Sequence, residues 1–114
     1  MDEISKELVG ASAGTFVLAI LASGDSYGYE IVQKIKKLSK KPITWKEAGI
    51  YPILKKFEAD GYIKSNWKMV KGQRPRKYYA LNEKGRVALQ AGNEDWKNIN
   101  HIYNQLWAQM KSLT

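Results

Sequence analysis

Apolar positions along this chain follow helical spacing up to about residue 61, alternate between residues 62 and 81, and return to helical spacing to the end. Residues 5–22 read as a first helix. Leu8, Val9, Ala11, Phe16, Val17, Leu18, Ile20 and Leu21 leave little of its second half polar. A helix apolar on most sides has to be covered on most sides, so its outer face is expected to meet a second chain. After the turn at Ser23–Ser26, residues 26–39 read as a second helix with Ser26 as its cap. Ile31, Ile35 and Leu38 are expected to face inward, and Pro42 closes the segment.

Residues 44–61 form the stretch the rest serves. Thr44 followed by Glu47 fits a capping box, and Ile50, Ile53, Leu54 and Phe57 make one apolar face. Gly61 is a natural stop. Lys46, Lys55, Lys56 and Tyr51 lie on the other face. Pro52 would lose a hydrogen bond in a helix interior at about 3 kcal/mol, so the regular helix is expected to start near Ala48, after a loosened first turn over residues 45–49. A short helix with a buried side and a basic outer side suits a DNA major groove; the plain alternative is a solvated surface helix.

Tyr62, Ile63, Ser65, Trp67 and Met69 alternate, giving a strand over residues 62–70. Val70 to Pro75 is a basic turn, and residues 76–81 form the returning strand. Asn82 can cap a last helix over residues 83–112, which would span roughly 40 Å. Along it Leu89, Trp96, Ile99, Tyr103, Leu106 and Met110 recur at near-heptad spacing, widened by Ile102 and Trp107. A helix that outruns its own domain with an apolar seam needs a second copy, so a homodimer is expected through Leu89, Ile99, Tyr103, Leu106, Trp107 and Met110. The fold class is therefore mainly α with a small β-hairpin. Residues 1–82 are expected to form a winged helix-turn-helix domain, and residues 83–114 one long C-terminal dimerisation helix. A two-fold dimer would set its two reading helices ~34 Å apart, one DNA turn, and would ask for a roughly palindromic operator.

Charge sharpens this picture. Sixteen of the nineteen Lys and Arg but four of the eleven acids lie in residues 34–86, a balance of +12 against −4 elsewhere. A polyanion is the natural partner for such a block, nucleic acid first and an anionic membrane surface second, with a basic surface of no specific partner as the plain alternative. Together with the helix and hairpin, double-stranded DNA is the partner expected. The tip of the hairpin carries Lys71, Arg74, Arg76 and Lys77. Lys46, Tyr51, Lys55, Lys56, Arg74, Arg76 and Lys77 are the candidate DNA contacts. With 44% apolar residues and no run long enough to span a bilayer, the chain reads as a single cytoplasmic domain without a membrane segment. It has no cysteine and one histidine, His101, with no nucleophile–base set beside it. No enzyme activity, catalytic residue, metal or cofactor is expected.

The blocks Tyr27-Gly28-Tyr29-Glu30-Ile31, Gly49-Ile50-Tyr51-Pro52-Ile53-Leu54-Lys55-Lys56-Phe57-Glu58 with Gly61, and Arg74-Pro75-Arg76-Lys77-Tyr78-Tyr79-Ala80-Leu81 with Glu83-Lys84-Gly85 resemble the PadR family of transcriptional regulators. Chain length and the single C-terminal helix are similar to its short subgroup. The resemblance implies a dimeric repressor released by an effector. In the multidrug-binding members it further implies a planar aromatic ligand stacked on a tryptophan at the dimer centre, which Trp96 matches. Leu8, Phe16 and Asn100 complete the candidate ligand site. Seam packing is the other role open to Trp96. Where the multidrug pattern has acids after the tryptophan, this chain has Asn100 and Asn104. Glu94 and Asp95 are the nearest carboxylates, with Asp95 expected to point away. A winged helix used only as a protein–protein adaptor is the competing function.

Overall fold

A computed structural model describes residues 3–43 and 45–112. The elements run α1 (Lys6–Ala22), α2 (Gly28–Leu38), α3 (Glu47–Ala59), β1 (Ile63–Lys68), β2 (Arg76–Leu81) and α4 (Glu83–Ser112). This is a winged helix-turn-helix with a long C-terminal helix. Ser5 caps α1, accepting the Leu8 amide on its hydroxyl. Val9, Ala13, Val17, Leu18 and Leu21 form its buried stripe, and the helix packs against α2, β2 and α4.

The start of α2 differs from the expectation. Tyr27 is the N-cap residue and makes no side-chain cap bond. Ser26 is instead buried and paired, its hydroxyl donating to Glu30 Oε1 at 2.6 Å. Its backbone exchanges both hydrogen bonds with Tyr79, tying the start of α2 to the hairpin. A serine beside a free strand edge satisfies backbone groups in two elements there. Ile31 and Ile35 are buried as expected, but Leu38 is 81% exposed because α2 ends with it, beyond the core.

The capping-box position Thr44 lies outside the described residues. The N-cap of α3 is Lys46, which makes no side-chain cap bond, and buried Trp45 anchors the helix start in the core. The helix begins at Glu47 rather than Ala48, so Pro52 falls in its second turn. Pro52 is exposed, as is Ala48, whose carbonyl the proline cannot serve as donor. The expected loosening survives only as a short-range bond from the Gly49 amide to the Lys46 carbonyl, 2.9 Å. Ile50 and Leu54 are fully buried, while Ile53 and Phe57 are partly so. At the far end Gly61, at φ +80°, closes a Schellman motif: Tyr62 N–H donates to Phe57 O at 2.9 Å and Gly61 N–H to Glu58 O at 3.1 Å.

β1 and β2 pair antiparallel, with Ile63 opposite Leu81 and Lys68 opposite Arg76. β1 is shorter than its alternation suggests, because Met69 and Val70 leave the ladder to begin the turn. Gln73 N–H donates to Val70 O at 2.9 Å with Gly72 at φ +80°, the geometry of a type II turn. Ile63 and Tyr79 seal the core from the hairpin side.

The Asn82 carbonyl accepts the Arg86 amide as α4 begins, while its side-chain amide donates to Gly61 O at 3.1 Å. Gly85 is the one residue of α4 buried outright; Ala88 and Leu89 lie partly against the core, and Val87 points to solvent. The helix then leaves the body, and the molecule measures 62 × 34 × 21 Å. Among the described residues no helix is long and apolar enough to cross a membrane.

Candidate nucleic-acid interface

Burying Ile50 and Leu54 fixes which side of α3 faces out. Lys46, Tyr51, Lys55 and Lys56 are all exposed there. Tyr51 is held: its hydroxyl donates to Glu47 Oε1 at 2.7 Å, one helical turn earlier. That bond to a carboxylate, with burial adding, pushes the phenol up to about 12. The Tyr51 ring also packs over Gly28, where an added Cβ would lie 3.0 Å from the tyrosine oxygen. The glycine of the Tyr27-Gly28-Tyr29 motif thereby brings α3 close to the start of α2.

Arg74 and Arg76 are exposed on the wing. Arg76 lies 4.5 Å over the Tyr27 ring and Lys68 lies 4.4 Å over Tyr78, and those two rings meet edge-on with centroids 5.2 Å apart. Cation and ring thus alternate from the wing to the cap of α2. Lys77 is placed differently. Its ammonium is 3.8 Å from Glu58 Oε1 on α3 and 5.6 Å over the Tyr79 ring. Burial and then the nearby Glu58 charge raise the pKa of Tyr79. Between α3 and the wing runs an open cleft of about 470 Å³ lined by Tyr27, Tyr29, Glu47, Tyr51, Trp67 and Arg76 among others. Six of the seven candidate DNA-binding residues are exposed, Tyr51 with its hydroxyl held by Glu47 and Arg76 over the Tyr27 ring. Tyr51, Arg76 and Lys77 line the one cleft, and Lys77 is already shared with an acid. Sequence reasoning does not place Tyr27, Tyr29 and Trp67 on this surface. The Tyr-Gly-Tyr spacing is the available signal, since tyrosines on either side of a glycine flank whatever packs on it.

The transcriptional regulator PadR-like family matches residues 17–91, most of the chain. The chain belongs to the PadR-like family. Similar solved structures include a transcriptional regulator from Clostridium thermocellum, 29% identical, covering 90% of this chain and 96% of that one with a TM-score of 0.80. A PadR family transcription regulator from Clostridium difficile is 30% identical over 83% of this chain and 97% of its own, TM-score 0.73. A PadR-like transcriptional regulator from Bacillus cereus is 25% identical over 89% and 96%, TM-score 0.77. As a PadR-like protein the chain is a DNA-binding transcriptional regulator and not an enzyme.

The candidate ligand residues of this PadR-like chain gather around Trp96, which is 40% exposed. On one side, Trp96 shares a groove of about 350 Å³ with Leu8, Ser12, Thr15, Asp95 and Ile99. On the other, it lines a wider one of about 660 Å³ with Phe16, Leu89 and Glu94 among others. Asn100 joins Trp96 in a third depression with Asn93 and Lys97. Asp95 therefore lines the α1–α4 groove instead of pointing away. Gly92 passes so close to α1 that an added Cβ would sit 3.1 Å from the Thr15 hydroxyl, and the helix turns Asp95 toward the same crossing.

Proposed function

We propose that this chain is a ligand-responsive repressor that binds a roughly palindromic operator as a homodimer. The observation that carries the DNA half is the cleft between α3 and the wing, lined by Tyr51, Arg76 and Lys77, with further exposed cations on both elements. Lys46, Tyr51, Lys55, Lys56, Arg74 and Arg76 would meet groove and backbone. Most such contacts give affinity, and a minority specify bases.

Support for the dimer comes from α4. Ile99, Ile102, Tyr103, Leu106, Trp107 and Met110 are each 47–60% exposed. Tyr103 and Trp107 already stack on one another, with centroids 6.1 Å apart and planes 7° from parallel. Isolated exposed apolar residues are ordinary, but six at helical spacing on one helix support an interface there. Leu89 would contribute from its partly buried position near the base. With α1 outward beside it, a second copy would close the grooves around Trp96.

Those grooves suit a planar aromatic effector. An indole offers a broad apolar face, worth a further ~0.5–2 kcal/mol toward a cation. Asp95 favours positive charge in the narrower groove, whereas Glu94 is paired with Lys97 at 3.8 Å and shares the wider groove with Arg86. A mobility-shift assay on a duplex from the chain's own promoter region tests the whole reading. Retardation at low salt is expected, reversed in the wild type but not in Trp96→Ala by a planar aromatic compound that does not itself bind duplex DNA. No retardation at low salt would favour the adaptor function instead.

A further inference from the structure

Glu58 sits where it works against the charge around it. It is one of four acids in residues 34–86, and it projects from the last turns of α3 beside the wing, on a surface otherwise fit for a polyanion. Its two oxygens are divided between the two strands. The Ser65 hydroxyl of β1 donates to Oε2, and Lys77 Nζ of β2 lies 3.8 Å from Oε1. The register explains why one side chain can reach both. Ser65 is opposite Tyr79 and Trp67 is opposite Lys77, so all four project from the hairpin face that Ile63 turns toward the core. The opposite face is tied separately, through Arg76 and Tyr78 to Tyr27. Among the described residues, the polar side-chain ties from α3 to that first face converge on Glu58, beside the apolar packing of Ile50 and Leu54.

We propose that Glu58 is a positioning residue that sets the angle between the wing and α3, and that Lys77 serves as its partner rather than as a phosphate ligand. This rests on the DNA-binding reading above. A carboxylate facing DNA repels phosphate, so a Glu58 with no structural task would only weaken binding. Its presence beside the wing is explained if a hinged wing reaches the wrong place on the duplex. The two roles predict opposite signs for the same substitution.

The probe is a duplex selected from a random pool by the wild-type chain, with a scrambled duplex as control, both read by fluorescence anisotropy. Glu58→Gln is expected to bind the selected duplex roughly 10-fold more weakly, in the range of couplings between contacting groups, while scrambled DNA binds as well or better. Lys77→Gln should reproduce the loss without reducing the salt slope, and the double variant should be no worse than either single. In the free protein, amide hydrogen exchange across residues 63–81 should quicken in Glu58→Gln while α1 and α2 keep their protection. Ser65→Ala, which removes one tie and leaves the charge, carries the same test if Glu58→Gln fails to fold. Tighter binding of Glu58→Gln to both duplexes with unchanged wing exchange would overturn the proposal, as would a salt slope lowered by Lys77→Gln. If the wild type selects no duplex, the DNA reading fails on its own, and hydrogen exchange still decides the clamp.

Discussion

Replacing Gly85 with alanine would place a Cβ 2.2 Å from the Tyr62 carbonyl oxygen and 2.6 Å from Leu81 Cδ1. Ordinary contact begins at 3.4 Å, so α4 and the start of β1 must separate by about 1.2 Å. A leucine methyl can swing aside. The carbonyl cannot, because Tyr62 O also accepts the Asn82 amide at 2.9 Å and so holds the hairpin to the helix start. Overpacking of this kind costs ~1–3 kcal/mol, and straining the hydrogen bond adds ~1. Against that, alanine gains ~1 kcal/mol of helix propensity. The net is a destabilisation of about 1–3 kcal/mol, or a fall in Tm of roughly 4 °C per kcal/mol for a chain of this size. Urea unfolding followed by tryptophan fluorescence, at matched chain concentration, measures it. An equal or higher midpoint for Gly85→Ala, the usual outcome for a helical glycine, would refute the close approach.

Other consequences can be checked separately. Arg76→Ala and Lys55→Ala should each weaken binding to every sequence; with one phosphate-binding cation removed from each protomer of a dimer, the slope of log K against log salt should fall by ~1.8, about 12-fold in relative affinity over a fourfold change in salt. An unchanged slope in both would remove them from the interface. Tyr51 ionises at about 12 instead of 10.0 because of its bond to Glu47. A raised folded-state pKa favours the protonated phenol, so this contribution is whole below pH 10 and is lost as pH climbs from 10 to about 12. Wild type should lose stability relative to Tyr51→Phe across that window, and parallel pH profiles in chemical denaturation would contradict the bond. Leu54→Ala removes a fully buried side chain from the inner face of α3 and should cost ~2–5 kcal/mol, measured by the same urea titration; a cost below about 1 kcal/mol would mean that face is not sealed.

Much of this architecture is legible in the order of residues. Bounds of β2 and the start of α4 follow from the pattern: Pro75 and Asn82 bracket the strand, and Glu83 opens a long periodic run. The inner face of α3 is legible for the same reason, since Ile50 and Leu54 are spaced for one side of a helix. What escapes is what depends on a second element. Ser26 looks like a cap and becomes a bridge because a strand edge at Tyr79 is available to it. Leu38 has the right spacing for the core, but its helix has already left it. Pro52 reads as a first-turn residue and lies in the second, because buried Trp45 pulls the helix start earlier than propensity alone would.

The candidate site divides along the same line. Exposed cations are visible as charges off the apolar face, so Lys55, Lys56, Arg74 and Arg76 could be named without a structure. Glu58 could not, since its significance comes from Ser65 and Lys77, residues of two other elements that meet it only after the hairpin folds onto α3. Asp95 is similar: its approach to the Trp96 groove depends on how closely Gly92 lets α4 cross α1 at Thr15.

The central claim is that two copies, joined along α4, hold their recognition helices at a fixed spacing. Sedimentation equilibrium of the unliganded chain at micromolar concentration tests it without reference to any DNA sequence. The account predicts a single species of twice the 13.0 kDa chain mass, shifted toward the monomer by Leu106→Glu with Trp107→Glu. A wild-type chain that sediments at 13.0 kDa would contradict it.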